Sequence, residues 1–303
     1  MVDQVTNGNP AGFSSEWLTL REPADHDARS ESLTRQLADW ACAQPGLTVI
    51  EMGCGTGSNF RFLCPHLGHG QEWTLFDHDE MLLTQLPISI RQWAGQRRLD
   101  VSASANAIEV AGMNFSARLR WQQADLANEL HTLPFESAQL ITASALLDLT
   151  SQAWLQQLAE QCISHQCASL FVLNYDGRIS WQPEEQYDVR TMALLNRHQL
   201  GNKGFGPAMG PQAGQALAKL LSRHQQCQVE RSDWQIGPRQ QALQQALLAG
   251  WLAAAEELAP AEADALEQWH AHRLDHIASM ESSLDVGHTD ILSLPLSAPP
   301  TTS

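Results

Sequence analysis

The sequence predicts a doubly wound, mostly parallel α/β sheet, and three observations carry that prediction. Short β-branched and apolar runs alternate with amphipathic helical stretches across residues 31–175. A glycine-rich turn, Glu51-Met52-Gly53-Cys54-Gly55-Thr56-Gly57, stands directly between one such run and a helical segment. A second run, 73–76, ends about twenty residues further on at an acid, Asp77.

Taken in order, Leu33, Leu37, Trp40 and Ala41 recur at helical spacing, and Pro45-Gly46 closes that helix. The strand leading to the glycines follows, and Ser58 opens the next helix. Further strands are predicted at 73–76, at 118–123 ending on Ala124-Asp125, at 139–143 and at 169–174. A helix carrying Trp154, Leu155, Leu158 and Ile163 joins the last two. The stretch 87–117 is long for a strand-to-strand connection and predicts an extra helix and a hairpin.

Beyond Asn174 the chain turns polar and aromatic, and 201–211 is too rich in Gly and Pro for a helix or a central strand. A sixth strand is expected within 226–235. Two helices follow, one striped by Leu243, Leu247, Trp251 and Ala254 and the other by Leu266, Trp269, Leu274 and Ile277. A last strand is expected within 284–295. The first dozen residues and the stretch from Pro295 are rich in Gly, Pro, Ser and Thr and are expected to be loose tails.

Composition narrows the functions. The 303 residues carry 34 acidic side chains against 18 Lys and Arg, a formal net charge of −16. A nucleic-acid partner is disfavoured, because phosphate binding needs a basic face, and the one dense basic run, 91–98, reads as a solvated helix face. The six cysteines are scattered, with no CxxC pair and no metal-like cluster, so no metal is expected. There is no signal-peptide pattern at the start, and the longest apolar run, near 247–255, is far short of a membrane span. A cytoplasmic protein with no membrane partner is expected.

The glycine loop points to a nucleotide-like ligand. Glycines let the backbone turn sharply and let a ligand approach main-chain atoms, and Asp77 can accept hydrogen bonds from both ribose hydroxyls. That geometry serves NAD and S-adenosylmethionine equally. The loop reads GCGTG rather than GxGxxG, with Glu51 two positions before the first glycine, and no phosphate-binding Lys follows.

At this point the sequence resembles the class I S-adenosylmethionine-dependent methyltransferases. VIEMGCGTGSN looks like their first motif, LFDHDEML their second, QADLAN their third and LITASALLDLTS their fourth, closest to the small-molecule enzymes of the family. The resemblance covers residues 30–175 and implies a Rossmann-like, seven-stranded sheet completed by the final helices and strand, with S-adenosyl-L-methionine as cofactor. It implies that Gly53, Gly55 and Gly57 line the methionine and ribose portions and that Glu51 acts near the methionine amino group. It further implies that Asp77 holds the ribose, with His78 and Met81 packing near the adenine. Asp125 would bind the adenine amine and Leu126 would donate its amide to a ring nitrogen, while Ser144 and Ala145 would face the methyl-sulfonium.

The organisation expected is an N-terminal tail and cofactor-covering segment (1–30), a cofactor-binding core (31–175) and an insertion or lid after the fifth strand (176–225). Strands and helices completing the sheet (226–295) and a tail (296–303) follow. In the covering segment Arg21 can pair bidentately with a carboxylate. The alternative is that Asp25 or Asp27 caps a helix and the arginines are solvated. Tyr175, Asp176 and Arg178 follow the fifth strand, where ligands gather in such sheets. Asp176-Gly177 is also a plain turn signal.

The 198–211 loop, with His198, Lys203 and Phe205, reads as a lid or as a surface excursion. Asp148 either orients an acceptor or caps the helix near Ser151. Tyr175, Asp176 and His198 are the candidate catalytic residues. No DPPY-like motif follows the fourth strand, which argues against nucleobase-amine methylation.

The function implied is methyl transfer to a small-molecule acceptor. Other sulfonium chemistry on the same fold, releasing methylthioadenosine, and a non-catalytic S-adenosylmethionine sensor are the alternatives.

Overall fold

The computed structural model describes residues 13–104 and 107–296. The tails expected at residues 1–12 and beyond Leu296 lie outside the described residues. Two helices, α1 (Ser15–Ala28) and α2 (Glu31–Cys42), precede the sheet. Each is capped by a serine: the Ser14 side chain accepts from the Trp17 amide and the Ser30 side chain from the Leu33 amide. Next come β1 (Leu47–Met52), α3 (Ser58–Leu63), β2 (Gln71–Asp77) and α4 (Glu80–Gln96). The hairpin β3 (Asp100–Ala103) and β4 (Ile108–Ala111) leads to β5 (Ser116–Gln123) and a single turn, α5 (Leu126–Glu129). Then follow β6 (Leu140–Ser144), α6 (Gln152–Ser164) and β7 (Ala168–Gln182). The chain ends with α7 (Asp188–His198), α8 (Ala213–Leu221), β8 (Gln225–Arg231), β9 (Trp234–Ile236), α9 (Gln241–Leu258), α10 (Ala263–Ala278) and β10 (Ser283–Pro295).

One sheet runs in the order β3-β4-β5-β2-β1-β6-β7-β10-β8, with β9 also paired to β10. The five strands from β5 to β7 are parallel. Strand β10 enters antiparallel between β7 and β8. These seven strands make the doubly wound, Rossmann-like sheet, and the hairpin β3–β4 extends it antiparallel at one edge. That hairpin and the long α4 occupy the 87–117 stretch. Strand order reverses at β1, so the crevice beyond the carboxyl ends of β1 and β6 is the switch point where ligands bind in open α/β sheets.

Period-two alternation explains why both faces are covered. Leu47 and Val49 of β1 enter one apolar core with Trp73 and Leu75, and Ile50 and Met52 enter the other with Phe76 and Ile141. Among the described residues no helix is long and apolar enough to cross a membrane.

The region after Asn174 departs most from the sequence-based expectation. Strand β7 continues to Gln182, and its far end carries Trp181 edge-on to Trp251 of α9 and Trp269 of α10, at 5.5 and 5.8 Å. Asp188 anchors α7 there, accepting from Trp269 Nε1 at 2.8 Å and pairing with the fully buried Arg273. Residues 176–225 therefore hold a strand extension and two helices in addition to a loop.

Candidate functional site

The glycine loop takes the shape that its composition predicts. Gly53, Gly55 and Gly57 all have positive φ, at 63°, 52° and 83°. Residues with a side chain avoid that region, so the turn into α3 depends on them. The Cys54 amide donates to the Phe76 carbonyl at 3.0 Å, tying the loop to the end of β2. At the same strand end Asp77 accepts from the Gly55 amide at 2.7 Å and from the Asp79 amide at 3.0 Å, one bond on each oxygen. Each oxygen keeps a lone pair for a further donor. Burial pushes the Asp77 pKa up, and the two amide bonds oppose that rise.

A cavity of about 380 Å³ opens over this loop. Its floor is made by Gly53, Gly55, Asp77, His78, Asp125, Leu126, Ser144 and Ala145, from the carboxyl ends of four neighbouring parallel strands. Leu18 and Arg21 of α1 close it from above, and Lys203, Gly204 and Phe205 close it from the side of the insertion. The structure thus brings together nine of the residues singled out in the core motifs and covering segment: Arg21, Gly53, Gly55, Asp77, His78, Asp125, Leu126, Ser144 and Ala145.

Several placements differ from the expectation. Gly57 is not in the lining; a side chain there would meet Ile90 of α4 at 3.2 Å, so this glycine serves helix packing. Met81 is 81% exposed and off the cavity, and its neighbour Leu82 lines it instead. The reason is the Asp79 cap, which accepts from the amides of both residues and sets the first turn of α4 with Leu82 facing inward. Glu51 is 1% exposed and is absent from the lining.

Asp125 is a helix cap that also reaches the cavity. It caps α5, accepting from the Ala127 amide at 3.0 Å, and it also borders the cavity. The Leu126 carbonyl beside it accepts from Trp154 Nε1 at 2.7 Å, and Phe205 stands edge-on to Trp154 at 5.4 Å. The insertion loop is thereby packed onto the Asp125–Leu126 side of the cavity, and the Met209 amide donates to the Thr150 carbonyl at 2.8 Å.

On α1, Arg21 makes two 2.9 Å bonds to Asp25, and its guanidinium lies over Trp17 and Trp234. Ser14 caps this helix, while Asp25 and Asp27 fall near its far end, so the capping alternative for those acids is set aside. Asp148 does not cap α6 either; Ser151 does, and Asp148 is buried.

The candidate catalytic residues stand apart from this cavity. Tyr175 and Ile179 of β7 face His288 and Val286 of β10, and Asp176, Gly177 and Arg178 bulge between them. The bulge throws Asp176 outward, where it pairs with Arg178, which also bonds Asp233 at 2.8 Å. Tyr175 is buried, donates to Asn196 Oδ1 at 2.8 Å and has its pKa pushed up by burial. His198 meets Glu257 at 3.2 Å and lies 3.5 Å from the Lys203 amine.

Sequence reasoning missed Leu18, Leu82 and Leu146 in the lining. Leu18 lies three positions before Arg21, a helical spacing that marks both for one face. It also missed the buried network under the loop. Arg29 donates to Asn59 Oδ1 at 2.9 Å, and Asn59 donates to Thr142 Oγ1 at 3.1 Å. Glu51 sits among these groups with one carboxyl oxygen lacking a hydrogen-bond partner. Burial raises its pKa to about 8, against the opposing pull of Arg61 and Arg29.

No family model matches this sequence, and no curated protein matches it either. Solved structures similar to the chain include an S-adenosylmethionine-dependent methyltransferase from Geobacter sulfurreducens in complex with S-adenosyl-L-homocysteine. It is 12% identical, with 93% of this chain and 99% of that chain covered and a TM-score of 0.44. The YcgJ protein of Bacillus subtilis is 14% identical, covering 89% of this chain and 100% of its own, with a TM-score of 0.47. The cyclopropane synthase MmaA2 of Mycobacterium tuberculosis is 11% identical, covering 92% and 94%, with a TM-score of 0.46. These likenesses assign no activity to this chain.

Proposed function

We propose that this chain binds S-adenosylmethionine in the 380 Å³ cavity and transfers its methyl group to a small molecule. One observation carries the reading. The positive-φ glycines Gly53 and Gly55, the acid ending β2 and the acid following β5 belong to separate sequence motifs, yet they border a single cavity at the switch point of the sheet. A side chain at Gly53 or Gly55 would meet Leu146 at 3.4 Å or Leu18 at 2.9 Å, so the glycines keep open a cradle that any Cβ would begin to fill.

In this reading the free lone pairs of Asp77 accept from the ribose hydroxyls, and Asp125 and the Leu126 amide meet the adenine edge. Ser144 and Ala145 border the reacting end, and Arg21 lies toward the methionine portion. The bound sulfonium supplies an already activated methyl group, which passes to the acceptor as the carbon–sulfur bond breaks and a neutral thioether leaves. The protein's part is alignment and exclusion of water, the latter through α1 and the Lys203–Phe205 loop. No fixed triad is needed for that.

The deciding experiment is mass spectrometry of the protein incubated with S-adenosylmethionine and a cell metabolite extract. Metabolite-dependent S-adenosylhomocysteine, with a product heavier by one methyl group, is the expected result. Methylthioadenosine instead would point to different sulfonium chemistry, and bound but unconverted cofactor would leave the sensor reading standing. Asp125→Ala is expected to weaken S-adenosylmethionine binding by about 1–3 kcal/mol, the cost of leaving a buried donor without its acceptor. Calorimetry giving an unchanged affinity would leave Asp125 with its capping role alone.

A further inference from the structure

The two elements that close the large cavity each bring a cation to it, Arg21 from α1 and Lys203 from the loop after α7. Arg21 is matched by Asp25, which it meets through two 2.9 Å bonds, and in the reading above it lies toward the methionine portion of the cofactor. Lys203 has a different setting. It shares the lining with Phe13, Leu146, Leu149 and Phe205, all of them apolar.

A lysine on a surface loop ordinarily extends its amine into water, but this loop has a fixed shape that keeps Lys203 half-buried. Asn202 Oδ1 accepts from the Gly204 and Gly206 amides at 2.9 and 3.1 Å, closing a tight turn just beyond Lys203. Gly204 and Gly206 take φ of 100° and 86°, a region that only glycine adopts readily. Asn202 and Pro207 pair across the base of the turn, and Ala208 pairs with Ser151 at the start of α6. With Phe205 edge-on to Trp154, the turn is fastened at its tip and at its exit.

His198 fixes the amine as well. Its Nε2 meets Glu257 at 3.2 Å and its Nδ1 lies 3.5 Å from Lys203 Nζ. A ring that donates through Nε2 keeps a lone pair on Nδ1, so it accepts from the ammonium without cancelling the charge. An ammonium carries three protons, so a bond to His198 and a bond to a ligand are compatible. A ligand filling the cavity displaces water from this cation among apolar side chains, which is costly unless the ligand itself brings a negative charge. A neutral acceptor leaves that cost unmet, and a cationic one adds repulsion to it. The net charge of −16 does not oppose an anion at close range, because salt screens distant charges far more than a contact pair in a cavity.

We propose that the methyl acceptor is an anion, a carboxylate or a phosphate, and that Lys203 selects it by pairing with that group. The inference rests on the methyl-transfer reading above and narrows its substrate class.

The probe is the cell metabolite extract, divided on an anion exchanger at mildly alkaline pH, where carboxylates and phosphates are retained and neutral and cationic metabolites pass through. Each fraction is incubated with the full chain and S-adenosylmethionine, and S-adenosylhomocysteine is measured. Release is expected with the retained fraction and not with the other. Prior treatment with alkaline phosphatase separates the two sources, since a phosphate monoester loses its activity and a carboxylate keeps it. With the acceptor purified from that fraction, Lys203→Met is expected to raise KM about tenfold or more, the loss of one charge-assisted hydrogen bond, while kcat and S-adenosylhomocysteine affinity change little. Lys203→Arg, which keeps the charge, is expected to recover most of that loss. Activity confined to the unretained fraction overturns the proposal, as does an unchanged KM in Lys203→Met. A loss of S-adenosylhomocysteine affinity in Lys203→Met assigns the amine to the cofactor's carboxylate and overturns it too. No release with either fraction, from protein that binds S-adenosylhomocysteine, overturns the methyl-transfer reading and this proposal with it, so the two failures are told apart.

Discussion

Gly55→Val is expected to abolish S-adenosylmethionine binding while leaving the chain folded. The backbone there has φ of 52°, a region that costs a residue with a side chain roughly 1–2 kcal/mol. A valine Cβ would lie 2.9 Å from Leu18 Cδ1. That carbon is the far end of a flexible side chain, so Leu18 can turn aside, but it turns within the wall of the cavity. The cost to folding stays small against a typical stability of about 5–15 kcal/mol. The cost to binding is the cavity itself, because the branched side chain stands where the ligand must approach main-chain atoms.

Gly68→Val is the matched control. Gly68 also has positive φ, at 77°, but no atom lies within 4 Å of its added Cβ and it is not part of the lining. Both variants should lose comparable stability in urea, and only Gly55→Val should lose affinity, by more than about a hundredfold, as expected when a filled site excludes its ligand. Near-normal binding by Gly55→Val would place the cofactor elsewhere.

The parts of the fold legible in the sequence are those whose cause is local. Strand β1 reads as a strand because Val49 and Ile50 are β-branched and its residues are buried on both faces, and it ends where glycine alone tolerates the backbone. Asp77 and Asp125 are readable because an acid that accepts neighbouring amides ends strand β2 in one case and follows strand β5 in the other. The missed elements depend on partners distant in sequence. Helix α1 contains Pro23 and buries Trp17, Arg21, Ala24 and Asp25, mixing apolar and charged residues on its covered side, so no clean stripe announces it.

The far half of β7 was invisible for a similar reason. Asp176-Gly177 reads as a turn and locally is one, since the Arg178 amide donates to Asp176 Oδ1 at 3.1 Å. Only pairing with β10, more than a hundred residues later in the chain, makes it a bulge inside a continuous strand. The same dependence displaced the candidate catalytic residues. Tyr175, Asp176 and His198 were placed by chain order after the fifth strand, whereas their directions are set by β10 and α9.

Glu51→Gln is expected to make the protein more stable in alkaline solution and to flatten its dependence on pH. Burial raises the Glu51 pKa to about 8 from an ordinary value of 4.5. Between those two values the folded chain keeps a proton that the unfolded chain has released, so folding loses stability as pH rises through that window. The contribution is fully present below the unfolded value and is gone above the folded one. Glutamine cannot ionise, so the variant escapes the loss. At pH 9 it should exceed the parent by about 2–5 kcal/mol, and the gap should close as the pH falls toward 4.5. Urea unfolding of both proteins across this range is the measurement, and a gap independent of pH would show that Glu51 ionises normally. Because Glu51 lies off the cavity, the same substitution should cost less cofactor affinity than Asp125→Ala. A larger loss would return Glu51 to the methionine amino group, the role that the motif resemblance assigns to it.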